Sequence, residues 1–498
     1  MLQVTDKEIK TRLGIDNPAW ETDQVGDQFR SFEKRRAYFG GFMRLVTQKT
    51  VRRAVVLMGP RRVGKTVMLQ QAIQRLIEAG VPPKSILYVS VETPVYTGTT
   101  LEKLLQYFRE LHGHDPKAAL YVFFDEIQYH KDWELHLKSL VDTYPQVRFV
   151  ASGSSAAALR LKSRESGAGR FTDFILPPLT FAEFLRFMDR EPITLETPWD
   201  RIDIETLNAN FVDYLNFGGF PEAVMVPAIR ERMNQFVASD IIDKVLLRDL
   251  PSLYGIDDPQ QLNRLFATLA YNTGMEIGLD ELSKSSQIAK NTLKKYLEYL
   301  EAAFLIRRVY RIDHQDGRRF RKQTHFKVYL ANPSMRAALF GNVSADDDAM
   351  GRLAETAIVS QYAHGDFVGS LAYARWGNRE VDLVSKSRAA DQRSSHLIEI
   401  KWSDRALDNP YAELKGLIYL ARRIKPRFPS TVTTRSRFGQ IHVEGLKINF
   451  RPAAYFCWLL STAIVDGKLA AGIHPFTGER FAVGEQPGTS GGTPESLD

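Results

Sequence analysis

Two glycines, a lysine and a threonine at fixed spacing carry the first chemistry in the chain. Gly59-Pro60-Arg61-Arg62-Val63-Gly64-Lys65-Thr66 fits the phosphate-loop pattern G-x-x-x-x-G-K-[ST]. Gly59 and Gly64 let the backbone bend until its N–H groups and a helix N-terminus face an anion. Lys65 then reaches the β and γ phosphates, and the Thr66 hydroxyl binds Mg²⁺. Pro60, Arg61, Arg62 and Val63 complete the loop around an ATP phosphate chain. Downstream, the apolar run LYVFFDEIQ ends in Asp125 and Glu126. An acidic pair where a strand emerges beside a phosphate loop is a Walker B arrangement. Asp125 would hold Mg²⁺ through water, and Glu126 would orient or activate the attacking water. The next run, VRFVASGSS, offers Ser152 and Ser154 to the γ-phosphate or the water, though small turn residues read equally well there. ATP and Mg²⁺ are the cofactors expected.

A second constellation lies near the C-terminus: Glu355 in GRLAETAIVSQY, Asp382 in REVDLV, and Glu399-Ile400-Lys401 in LIEIKWS. Residues i and i+2 of a strand face one side, so Glu399 and Lys401 project together while Ile398 and Ile400 face the core. Two carboxylates and a lysine on neighbouring strands are able to bind Mg²⁺ and activate water for phosphodiester attack, with Glu355 as a further ligand. The set resembles the PD-(D/E)XK nuclease signature. The plainer alternative is cross-strand pairing on an exposed face, with Glu380 and Asp382 solvated. Asn332, in KVYLANPSM, stands where relatives of that signature commonly have Asp, which puts the role of that turn in question.

Basic residues cluster between these constellations. Lys284, Lys290, Asn291, Lys294 and Lys295 sit at and before the start of a helix, KNTLKKYLEYLEAAFLI, that would be the second of a helix-turn-helix. Arg307, Arg308, Arg311, Arg318, Arg319, Arg321 and Lys322 extend the basic surface and could neutralise several DNA phosphates. Solvated charge and protein contact are the competing readings. His112 and His114 lack a second ligand cluster and read as a loop.

The elements that must position these groups are legible from periodicity. RRAVVLMG, the phosphate loop and VMLQQAIQRLIEAG read as strand, turn and helix, with Gly80 as the stop. ILYVSV, LYVFF and VRFVA follow at helix-length intervals, the pattern of a parallel sheet with crossover helices. The fold class expected is α/β and multidomain. Its parts are an N-terminal helical segment over 1–50, a P-loop core over 51–180 and a helical lid over 181–250. A winged helix over 251–315, a nuclease-like α/β domain over 316–483 and a disordered tail over 484–498 complete it. The lid is interrupted by FGGFPE, Phe217 to Glu222.

Composition bounds the answer. The 498 residues, 44% hydrophobic and 25% charged, exclude global disorder and predict about three domains. The net charge of +7 favours anionic partners. Cys457 is the only cysteine, so an intrachain disulfide and a cysteine-built zinc site are excluded. The start, MLQVTDKEIKTRLG, has no apolar signal core, and cytoplasmic location is expected. The apolar run from Ala453 to Val465 falls short of the roughly 18 to 20 residues of a membrane span and reads as buried core.

Taken together, GPRRVGKT, FFDEIQ, ASGSS, Gly169-Arg170 before LPPLTFAEF, FGGFPE, EVDLV and IEIKWS resemble the AAA-type ATPases that carry a winged helix and a C-terminal domain of unknown function. The resemblance covers most of Arg52 to Ser403. It implies a homo-oligomer that hydrolyses ATP, with an arginine supplied by a neighbour or in cis to the γ-phosphate. Arg170 is the candidate, and Arg160 and Arg164 compete with it. Glu92 is a weaker candidate for sensing the nucleotide. The function expected is an ATPase acting on DNA in genome maintenance or defence. The alternatives are a nucleotide-controlled protein-assembly switch with an inactive nuclease-like domain, and an ATP-regulated Mg²⁺-dependent DNA nuclease.

Overall fold

The computed structural model describes residues 4–48, 50–153, 169–191, 194, 197–318, 324–362, 371–386 and 394–465. Two compact units emerge: Met1–Glu191 with Asn210–Arg308 and Val328–Ala345, and Pro192–Ala209 with Val309–Lys327 and Asp346–Asp498. The lid segment expected over 181–250 is therefore divided, since residues 192–209 belong to the second unit. Residues 328–345, expected in the nuclease-like domain, belong to the first. The expected tail over 484–498 lies outside the described residues.

In the first unit, strands β1 (Ala54–Met58), β2 (Ile86–Ser90), β3 (Tyr121–Asp125), β4 (Arg148–Gly153) and β5 (Phe171–Ile175) form a sheet in the order β2-β3-β4-β1-β5. Every pairing is parallel. Each residue of β1 is buried, as continuous apolar runs covered on both faces require. Around the sheet run helices Lys65–Glu78, Leu101–His112 and Trp133–Thr143. Thr100 caps the second through the Lys103 amide, and Gly113, at φ 63°, ends it. Phe123, Phe124, Phe149 and Trp133 are fully buried. Truncating a buried aromatic such as Phe124 to Ala costs about 3–5 kcal/mol. The order of strands puts the end of β4 between the ends of β1 and β3. That places Ser152 beside both the phosphate loop and Asp125.

The N-terminal segment holds helices Asp6–Asp16, Ala19–Thr22, Asp27–Arg30 and Phe39–Thr47. Further along, helices Pro259–Tyr271, Leu279–Ser286 and Lys290–Ala302 follow one another. A short strand, β6 (Glu276–Gly278), precedes the second of them. Strands β7 (Ile306–Ile312) and β8 (His325–Leu330) come next, and the unit boundaries fall within both.

The second unit is built on β9 (Leu371–Trp376), β10 (Arg379–Lys386), β11 (Ser394–Glu399), β12 (Ser430–Thr434), β13 (Gly439–Val443) and β14 (Leu446–Pro452), ordered β13-β14-β12-β11-β10-β9. The β10 strand is antiparallel to both neighbours, and its register with β9 shifts between Val381 and Val384. A bulge there re-aims Asp382. Helices Met350–Tyr362 and Ala453–Val465 are buried, and the second is the apolar run read as core. No helix among the described residues is long and apolar enough to cross a membrane.

Candidate functional site

The phosphate loop turns where its backbone has no alternative. A Cβ on Gly59 would stand 2.1 Å from the Leu176 carbonyl oxygen, so only glycine fits. Arg62 at φ 64° and Gly64 at φ 91° adopt left-handed conformations that swing the chain into helix Lys65–Glu78. Lys65 is buried, and its Nζ donates to the carbonyls of Gly59 (3.2 Å) and Pro60 (2.8 Å). Burial depresses its pKa, against the pull of Glu126 and Asp125.

Asp125 collects three hydroxyls. Thr66 Oγ1 donates to Oδ2 at 2.7 Å and the Tyr88 hydroxyl to the same oxygen at 2.9 Å, while Ser152 donates to Oδ1. Burial, then the neighbouring Glu126, raise the Asp125 carboxyl, and the three hydroxyls oppose them. A hydroxyl and a carboxylate already in contact at the phosphate loop are hard oxygen donors of the kind Mg²⁺ takes, so Thr66 and Asp125 fit the ion. Glu126 follows at φ 53°, with its amide donating to Ser152 Oγ at 3.2 Å and its side chain paired with Gln128. Ser154 lies outside the described residues.

Lys65, Thr66 and Glu126 line one cavity of about 710 Å³. Sequence reasoning missed much of its wall. Phe32, Phe187, Met225 and Val226 give it apolar surface, and Lys34, Lys244 and Arg248 add cations. Glu92 also lines it, with its carboxyl raised by burial, Glu126 and Asp125. Arg36 is buried behind the loop, bonded to Glu183 (2.8 and 3.1 Å) and to the carbonyls of Val63 (2.9 Å) and Pro177 (2.9 Å). Burial would raise the Glu183 carboxyl, but Arg36 and the amides of Thr180 and Ala37 hold it low. The only available signal was the Thr180-x-x-Glu183 capping box, which the structure contains.

The loop arginines point sideways. Arg61 meets Asp249 (2.8 and 2.9 Å) and the Tyr129 hydroxyl (3.1 Å). Arg62 meets Glu222 (3.0 Å) and Asp240 (3.2 Å). Asp240 and Asp249 come from the wide π-helical turns Phe236–Asp243 and Val245–Asp249. The FGGFPE motif acts through contact. Pro221 and Glu222 line the cavity, and Gly219, at φ 102°, packs where its Cβ would collide with Asn332 at 2.5 Å. Asn332 Oδ1 accepts from Ser334 N (2.9 Å) and Oγ (2.6 Å), which makes it a turn-forming residue under that motif.

Arg170 stands at the far end of the sheet from the phosphate loop. The β1–β5 register pairs Ala54 with Phe171 and Met58 with Ile175, so Arg170 precedes the strand that runs toward the loop. Its exposed side chain pairs with Asp142. Arg160 and Arg164 lie outside the described residues.

On helix Lys290–Ala302, Lys290, Asn291, Lys294 and Lys295 are exposed, with Lys290 paired to Asp280. Arg318 is exposed and 3.5 Å from Asp316, while Arg319 and Arg321 lie outside the described residues.

In the second unit, Glu355, Asp382, Glu399 and Lys401 do converge. Lys401 Nζ meets Glu399 Oε1 at 2.7 Å, although β11 ends at Glu399 and Lys401 lies just beyond the strand. Asp382 Oδ2 accepts the Ile400 amide at 2.8 Å. Burial and then Asp382 push the Glu399 carboxyl up to about 8, and its Oε2 is buried without a hydrogen-bond partner. The missed member is Lys327. Its Nζ lies 2.8 Å from Glu355, 3.4 Å from Asp382 and in contact with Glu380, which is half-buried where full solvation was the alternative. Among the described residues, no trio of His, Cys, Asp or Glu is disposed to hold a metal.

Residues 51–185 match a family described as an AAA domain, and residues 208–346 match a domain of unknown function. An uncharacterized protein of Haemophilus influenzae is 24% identical over 400 residues, covering 79% of this chain and 92% of its own. An uncharacterized protein of Methanocaldococcus jannaschii is 26% identical over 325 residues, covering 61% of this chain and 66% of its own. AMPPCP-bound DnaA from Aquifex aeolicus aligns over 57% of this chain and 92% of its own at 13% identity, with a TM-score of 0.28, too low to inform function. With the phosphate loop at the end of β1 and the acidic pair at the end of β3, residues 51–185 carry an AAA-type P-loop ATPase fold.

Proposed function

We propose that the protein is a Mg-ATP-hydrolysing ATPase that acts on DNA in the cytoplasm, in genome maintenance or defence, coupling ATP turnover to DNA binding or remodelling. The observation that carries the reading is the convergence of Lys65, Thr66 and Glu126 on one cavity, with Asp125 bonded to Thr66 behind them. On binding ATP, Lys65 exchanges the Gly59 and Pro60 carbonyls for phosphate oxygens. Thr66 and Asp125 would hold Mg²⁺, which when bound would supply positive charge to the phosphate oxygens. Glu126 orients the attacking water, and Ser152 holds Asp125 and the Glu126 amide in register.

Arg170 faces away from its own phosphate loop, which supports a role in trans. A neighbouring copy would receive it, so the active form is a homo-oligomer. Exposed Lys290, Asn291, Lys294 and Lys295 at one helix start support phosphate contact by a winged-helix module. The competing protein-assembly switch draws support from internal neutralisation: Lys290 pairs with Asp280, and Arg308 with Glu301.

ATP turnover measured with single-stranded, duplex and branched DNA at several salt concentrations separates the two. Stimulation by one DNA form, weakening as salt rises, is expected. Turnover indifferent to every DNA, with no binding at low salt, would leave the switch.

A further inference from the structure

The carboxylate cluster of the second unit already contains a cation. Lys327 is only 3% exposed, and an ammonium buried to that extent must be neutralised by its neighbours. It has three N–H donors, and three carboxylates stand around it: Glu355 at 2.8 Å, Asp382 at 3.4 Å, and Glu380. The groups arrive from three elements, with Lys327 on β8, Glu355 on helix Met350–Tyr362, and Glu380 and Asp382 on β10. Glu380 and Asp382, on either side of Val381 in β10, both reach the same ammonium. The Tyr373 ring, 5.6 Å away, closes a further side. The fourth carboxylate of the constellation, Glu399, is turned to its own lysine, Lys401.

We propose that Lys327 is the resident cation of this site, standing where the divalent metal of a hydrolytic centre would have to stand, so that the unit neither binds Mg²⁺ there nor cleaves phosphodiesters. A metal ion bonded to these carboxylates at about 2.1 Å would lie close against the ammonium, in a buried place where like charges repel strongly. Neutralisation from within makes the cluster a closed ionic joint between a helix and two strands. The inference does not rest on ATP binding or hydrolysis, and its test uses nucleotide-free protein.

The full chain is titrated with Mn²⁺ and followed by electron paramagnetic resonance, and the same preparation is incubated with plasmid DNA and Mn²⁺ or Mg²⁺. Wild type is expected to take up no Mn²⁺ through the cluster and to leave the plasmid intact. Lys327→Met keeps the carboxylates and removes the ammonium. It is expected to gain one Mn²⁺ per chain, and its Tm should rise with Mn²⁺ by several degrees. Uptake or cleavage by wild type that disappears in Asp382→Asn overturns the proposal. So does a folded Lys327→Met that binds no Mn²⁺. Should Lys327→Met fail to fold, the paired wild-type and Asp382→Asn measurements decide alone. Loss of ATPase function in Lys65→Ala would leave all of these readouts unchanged.

Discussion

Thr66 Oγ1 lies 2.7 Å from Asp125 Oδ2, joining the first turn of one helix to the end of a strand 59 residues later. Neither residue reaches the other without the intervening strand order, because β4 must hold β1 and β3 at the right separation. Ser152, at the end of β4, completes the joint by bonding Asp125 from its other side.

Glu126 and Lys65 should separate binding from turnover. Glu126→Gln keeps shape and removes the charge, so ATP binding is expected to persist while kcat falls by about 10²- to 10⁴-fold. Lys65→Ala should abolish measurable turnover. Fluorescent-nucleotide binding beside steady-state hydrolysis checks both, and a folded Glu126→Gln unable to bind ATP would contradict the assigned role.

Gly59→Ala tests the loop rather than the chemistry. The added methyl meets the Leu176 carbonyl oxygen at 2.1 Å, and the β1–β5 seam cannot open without losing the Leu176 N to Met58 O bond of 2.7 Å. A destabilisation of about 1–3 kcal/mol is expected, with weakened nucleotide binding. Urea unfolding with and without ATP measures both terms, and a neutral result would show that the loop relaxes freely.

Arg170→Ala should lower kcat by about 10³-fold while sparing ATP affinity, if it serves a neighbour's γ-phosphate. Mixing Arg170→Ala with Lys65→Ala protein is the sharper measurement. One variant retains the arginine and the other the phosphate loop, so mixed assemblies should recover activity that neither has alone. No recovery in demonstrated mixed oligomers argues against the trans role.

The Glu399 carboxyl, raised from 4.5 to about 8 in the folded chain, sets a pH dependence. A group whose folded pKa is raised binds its proton more tightly folded than unfolded. Its stabilisation is complete below about pH 4.5 and is lost as pH rises through about 8. Wild type should therefore lose stability relative to Glu399→Gln across that window, by on the order of a few kcal/mol. Urea midpoints at the two ends measure the difference, and parallel curves for the two proteins would refute the shift.

Sequence alone determined the features that depend on neighbours along the chain. Gly59, Gly64, Lys65 and Thr66 sit in one turn, so their spacing predicts a phosphate loop. The parallel strands are buried on both faces and betray themselves as unbroken apolar runs, which made the α/β core and Asp125-Glu126 legible. Glu399 and Lys401 are two apart in the sequence and were expected to meet, and they do, although β11 ends at Glu399.

Only the tertiary structure decided what depends on long-range packing. The Arg36 pairing with Glu183 spans 147 residues, and the apolar wall of the cavity combines Phe32 with Met225. Lys327 carries no local signature, since it is one lysine in a basic stretch until the fold surrounds it with Glu355, Glu380 and Asp382. Arg170 shows the same limit from the other side. The Gly169-Arg170 pair before LPPLTFAEF was readable, but the strand after it was not, and which end of the sheet Arg170 occupies follows from the parallel register of β1 and β5, a hydrogen-bonded choice made between segments more than a hundred residues apart.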